Sequence, residues 1–184
     1  MSAPRGWPLP LEVSEHHSRS VEMLNIVRRL SARDPANAAL KGSSFDGLTA
    51  IEREVLLIDM RTELDCEVAL TLMASCEAVL RADFEARIRR KPRSTRAVNK
   101  IFKGLRSQYQ GRVSLDDILV TWKGSVGRRP SVFDTFSEYL RLRHWLAHGR
   151  RWTLKVRRAV DPMDIGEAAD ALFGLLPADF PLLD

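Results

Sequence analysis

The chain has 184 residues, enough for one domain with a sizeable core. Hydrophobic residues make up 45% of it, with 10 Gly and 9 Pro, a composition that excludes a disordered or low-complexity chain. No apolar run approaches the roughly 20 residues of a membrane span, so no membrane partner is expected.

The formal net charge is +5, but its distribution is more informative than its total. Residues 87–112 carry ten Lys or Arg and no acid, and residues 141–158 carry seven more and again no acid. That leaves 12 of the 29 basic residues to face all 24 acidic ones elsewhere. Segregation of this kind is the footprint of a polyanion-binding surface, and the partner it suggests is nucleic acid, with solvated helix faces as the plainer alternative.

In chain order, residues 1–13 are Pro-rich and read as an irregular N-terminal segment. The opening MSAPRGWPLPLEV has no continuous apolar stretch of the secretory kind, so a cytoplasmic location is expected. A first helix is expected from Ser14 as N-cap, with Val21, Leu24, Val27 and Leu30 on its apolar face and Asp34-Pro35 as its stop. His16 and His17 fall near its start and read as surface residues. A loop with Gly42, Ser43, Ser44 and Gly47 follows.

From Leu48 to about Arg90 neither Pro nor Gly interrupts the chain. Ile51, Val55, Ile58, Ala69, Met73, Cys76, Leu80 and Phe84 form one helical stripe and are expected in the core. Such a helix would be about 60 Å long, with room for a bend. Cys66 and Cys76 are ten residues apart on it, about 15 Å of rise, too far for a disulfide. A shorter helix is expected over Ser94 to Arg106, and another from Ser114, with Asp116 and Asp117 in its first turn where acids suit the helix dipole. Ser131 or Asp134 opens the next helix, with Gly149 as its stop. Residues 152–158 read as extended, and Asp161-Pro162 opens a last short helix to about Leu175. Trp122, Trp145 and Trp152 are of a type that can stack on bases, though a core or dimer contact is the simpler reading. With no alternating strand series, the fold expected is all-α: an up-and-down bundle of four core helices plus short accessory helices, one domain over 1–184 with 150–184 as a C-terminal extension.

The stretch YLRLRHWLAHGRRW, residues 139–152, holds the chemistry. At 100° per residue, Val132, Phe136, Tyr139, Leu140, Leu142, Leu146 and Ala147 make the core face of its helix. Arg141, His144 and His148 lie together on the other face, whereas Arg143 falls in the middle of the apolar stripe. A guanidinium stripped of water costs several kcal/mol unless paired, so Arg143 must reach an acid or a polar cleft. Glu77 and Asp59 on the long helix are the acids at hand. The result is either a structural salt bridge or an arginine poised to hold phosphate. His144 and His148 have the four-residue spacing of a metal pair, but they lack the Glu of an HExxH pattern and nearby acids, so no metal and no cofactor is expected. Either histidine can pass a proton near neutral pH; exposed structural histidines are the plainer alternative.

Arg143-His144-Trp145-Leu146-Ala147-His148 resembles the R-x4-6-H pattern of the HEPN superfamily, including the polar residue that follows the arginine. The context fits as well: a late helix of a small all-α chain, over roughly residues 45–150. The resemblance implies a four-helix bundle that dimerises with the motif helices at the interface. It also implies a metal-independent endoribonuclease, often a toxin of a toxin–antitoxin or phage-defence system, in which the RNA 2′-hydroxyl attacks and a cyclic phosphate forms. Carried over, Arg143 would hold the scissile phosphate, His148 would act as general acid–base and His144 would assist. Glu77 and Arg141 would support them, Glu77 by a geometric argument of our own. Arg87, Arg89, Arg90, Lys91, Arg93, Arg96, Lys100, Lys103, Arg150 and Arg151 would contact the RNA backbone. An antitoxin protein is an expected partner. Two alternatives stand beside this: a non-catalytic helical adaptor binding nucleic acid or a partner protein, and a nucleotide-binding accessory to a nucleotidyltransferase.

Overall fold

The computed structural model describes residues 10–34, 40–89, 97–110, 112–148 and 160–177. Among them are six helices and no strand: α1 (Pro10–Arg33), α2 (Ala50–Arg89), α3 (Ala97–Gln108), α4 (Leu115–Val126), α5 (Pro130–Ala147) and α6 (Pro162–Phe173).

Local chemistry sets most of the boundaries. Thr49 and Glu52 cap α2: the Glu52 carboxylate accepts from the Thr49 backbone N–H at 2.8 Å and its hydroxyl at 2.7 Å. These bonds favour the ionised form and lower the Glu52 pKa. Ser114 caps α4 as expected, in a reciprocal capping box with Asp117, and Gly127 at φ 64° ends that helix in the left-handed conformation that suits glycine. Asp161 caps α6, accepting from the Met163 N–H at 2.8 Å. Two starts differ from the expectation. The first helix begins at Pro10, not Ser14, because proline fits the first turn of a helix and Val13 is drawn into the core. For the same reason α5 begins at Pro130, with Arg129 as a left-handed N-cap and no side-chain cap from Ser131 or Asp134.

The C-terminal half of α2 packs with α3, α4 and α5 as an up-and-down four-helix arrangement, joined by short connections. Ion pairs fix the registers: Arg106 of α3 with Glu85, Lys123 of α4 with Asp134 of α5, and Arg143 of α5 with Glu77. The core includes Leu72, Met73, Cys76, Leu80, Phe102, Ile118, Trp122, Phe133, Phe136 and Tyr139, and α6 closes it with Ile165, Ala169 and Leu172. Phe84, Phe102 and Trp122 stack edge to face at centroid separations of 5.2 and 5.6 Å. Cys66 and Cys76 are both buried free thiols.

The N-terminal half of α2 extends past this bundle and pairs antiparallel with α1. Arg28 reaches Glu54 and His17 reaches Asp65, and a small second core of Leu40, Phe45 and Leu57 holds the far end. Here the apolar stripe of α2 divides. Ala69 to Phe84 are buried as expected, but Ile51, Val55 and Ile58 are exposed, at 79, 52 and 54%. They lie on the same side of the helix as the buried residues, while α1 packs on the adjacent flank through Leu57, Glu54 and Asp65. Leu30 is likewise exposed on α1. His17 corrects the surface reading in the other direction: it is buried, with Nε2 2.7 Å from Asp65 Oδ1.

Candidate functional site

The candidate site lies where the end of α5 meets the middle of α2. Phe136, Tyr139 and Leu142 anchor α5 in the core, which turns Arg143 onto the seam between the two helices. Its Nη2 is 3.3 Å from Glu77 Oε2. Glu77 also accepts from Arg81 Nε, one turn along α2, at 2.9 Å, and Arg81 Nη1 donates to the Val113 carbonyl at 3.4 Å. A single carboxylate therefore holds two arginines, one from its own helix and one from α5, while Arg81 ties it to the chain entering α4. Asp59, the other acid considered, lies some 27 Å of rise further down α2 and plays no part.

This cluster is open. The Arg143 side chain is 36% exposed and Glu77 20%, and the buried Nε of Arg143 has no hydrogen-bond partner. An unmet buried donor costs about 1–3 kcal/mol, so this contact falls short of a fully bonded ion pair.

Around the helix from Arg143 are the histidines. His144 and His148 are both exposed, with ring centroids 4.2 Å apart and planes at 63°. His148 is the C-cap residue of α5, and its backbone N–H donates to the His144 carbonyl at 3.1 Å, which holds the second ring over the first. Arg141 is exposed on the same face. His148 is five positions after Arg143, about 140° around the helix, and Glu77 is the ion-pair partner of Arg143. Among the described residues no group of three or more His, Cys, Asp or Glu comes together as a metal-ligand set. Beside Glu77, Cys76 is sealed in the core; burial, helped by Asp170, pushes its thiol up to about 12, so it supplies no thiolate nucleophile near neutral pH.

The expected RNA-contacting residues divide sharply. Arg89 and Lys100 are exposed and Lys103 half-buried. Arg87 corrects the charge reading: it is fully buried, with Nε 2.8 Å from Asp83 Oδ1, Nη1 3.4 Å from Asn99 Oδ1 and its guanidinium 4.6 Å from the Trp122 ring centre. It is a core residue and cannot meet RNA. Arg90, Lys91, Arg93, Arg96, Arg150 and Arg151 lie outside the described residues, as do Gly149, Trp152 and the stretch read as extended. Trp122 is in the core and Trp145 packs against it. Arg81 and Arg106 were absent from the expected site, although the Glu77-Arg81 and Glu85-Arg89 spacings, four residues each, marked this face of α2 as an ion-pair ladder.

Comparison of the chain with protein-family models, curated proteins and solved structures finds no match.

Proposed function

We propose that the protein is a metal-independent endoribonuclease of the HEPN type, acting as a homodimer with the α5 ends at the interface, in a toxin or defence role that an antitoxin protein would control. The observation that carries this reading is Arg143, one-third exposed at the α2–α5 seam and braced by Glu77, on the same helix end as the His144–His148 pair. Its guanidinium suits the non-bridging oxygens of a phosphodiester. His148 then moves the protons as the 2′-oxygen bonds to phosphorus and the bond to the 5′-oxygen breaks: one proton leaves the 2′-hydroxyl and one reaches the departing 5′-oxygen. His144 steadies the His148 ring. The 140° between Arg143 and His148 supports a site composed across two chains, since facing helix ends can offer one chain's arginine with the other's histidine.

The same angle gives the adaptor reading its footing, because within one chain the two residues stay apart. The test is RNA cleavage by purified protein in EDTA, against His148→Ala. Wild type yields fragments with cyclic phosphate ends, and the variant, folded to the same helicity, leaves RNA intact. Cleavage that persists undiminished in the variant rejects the assignment, and salt-sensitive binding without cleavage by wild type favours the adaptor.

A further inference from the structure

Winding around α2, Glu77, Arg81, Glu85 and Arg89 follow one another at four-residue intervals, each step turning about 40°. Each glutamate is shared in the same way. Glu77 holds Arg81 of its own helix and Arg143 of α5; Glu85 pairs with Arg89 of its own helix at 3.7 Å and with Arg106 of α3 at 2.5 Å. Beyond Glu85 the seam opens into a shallow groove of about 380 Å³ between α2 and α3, lined by Glu85, Ile88, Arg89, Lys103, Arg106 and Ser107. The arginines keep much of their surface in solvent: the side chains of Arg81, Arg89 and Arg106 are 46, 76 and 42% exposed. From Glu77 to Arg89 the seam runs about 18 Å.

Four arginines thus meet two glutamates, and the carboxylates fix the guanidiniums in place without cancelling them. Arginines held in a row at partial exposure suit a backbone of regularly spaced negative charges, because little side-chain entropy remains to be lost on contact. We infer that this seam is the track for a single RNA strand, leading from the α2–α3 groove to Arg143. The inference rests on the ribonuclease reading for its ligand class and deepens it by naming the direction from which substrate reaches the motif.

The experiment uses full-length protein carrying His148→Ala, so that the probe survives, and measures binding of oligouridylates of 4, 8 and 12 nucleotides across a salt series. The comparison is between Arg89→Gln/Lys103→Gln on the seam and Arg29→Gln/Arg33→Gln at the far end of α1, which removes the same charge elsewhere. The seam pair is expected to lose roughly tenfold in affinity for the longer probes at low salt, with the log–log salt slope shallower by about 1.4, as for two lost phosphate contacts on a single strand. The α1 pair binds like its parent. Equal losses in both pairs, or wild-type affinity and slope in the seam pair, overturn the track. So does unaltered RNA binding combined with lost binding of an acidic partner protein, which makes the seam a protein-docking surface. Cleavage by the unmutated chain is scored separately. Cutting with an indifferent seam leaves the ribonuclease reading intact and removes the track, whereas seam-dependent binding without cutting does the reverse.

Discussion

Arg87 and Arg143 both interrupt apolar helix faces, and each is paired with a carboxylate of α2, yet they form opposite kinds of site. Arg87 is completely buried, doubly bonded to Asp83, in reach of Asn99 and laid over Trp122. Arg143 is one-third exposed, makes a single longer ion pair and leaves a buried N–H unmet. The difference shows that an arginine inside an apolar stripe is not by itself a functional signature. What separates the two is solvent access, which a side chain must have before it can meet a ligand.

The largest effect that sharpens this contrast belongs to the closed site. Asp83→Ala leaves the Arg87 guanidinium buried without its anion, and breaking such a pair costs about 3–5 kcal/mol. The expected outcome is a large fall in the urea midpoint with the slope unchanged, or failure to fold. Replacing Asp83 and Arg87 together by leucine and methionine should recover most of the loss, because both desolvation costs go with the pair. A loss below about 1 kcal/mol for Asp83→Ala would place Arg87 in the same open class as Arg143.

A third arginine tests the other side of the comparison. Arg53, near the start of α2, is buried to 7% exposure, and its Nε and Nη1 have no hydrogen-bond partner. It has the unmet donors of Arg143 without the exposure, and Leu57 one turn on belongs to the small second core. Arg53→Met keeps the length and apolar stem of the side chain and removes the desolvated charge. Stability is expected to rise by about 1–2 kcal/mol, read as a higher melting temperature. A fall of that size would show that the guanidinium is satisfied in solution.

The sequence made some of this legible and hid the rest for physical reasons. Local signals carried the helices: the Ser114 box, the Asp161-Pro162 start and the proline-free stretch of α2 each depend on neighbours within four residues. The angular position of Arg143 and its match to Glu77 were legible too, because a helix fixes direction. Burial was less legible, since it depends on what stands opposite. Ile51, Val55 and Ile58 share a helical side with Met73 and Leu80, but periodicity does not reveal where the surrounding helices stop. Arg87 was hidden by counting charge along the chain, which treats every arginine as solvated; Asp83, four residues earlier, was the available warning. His17 could not have been placed, because its partner Asp65 is 48 residues away.

The smallest stability effect, and the one that bears most on function, belongs to the open site. Arg143→Ala removes a partly exposed ion pair, of the kind worth about 0–1 kcal/mol, and at the same time relieves an unmet buried N–H. The two contributions oppose each other, so the melting temperature should move by only a few degrees. Glu77 keeps Arg81, so no carboxylate is stranded. The proposed ribonuclease activity, where wild type shows it, should nevertheless vanish, and Arg143→Lys should restore stability without restoring the rate, because an ammonium lacks the planar fork that grips two phosphate oxygens. A loss of activity that merely tracked a loss of folded protein would make Arg143 a second brace, and would erase the distinction between the two arginines.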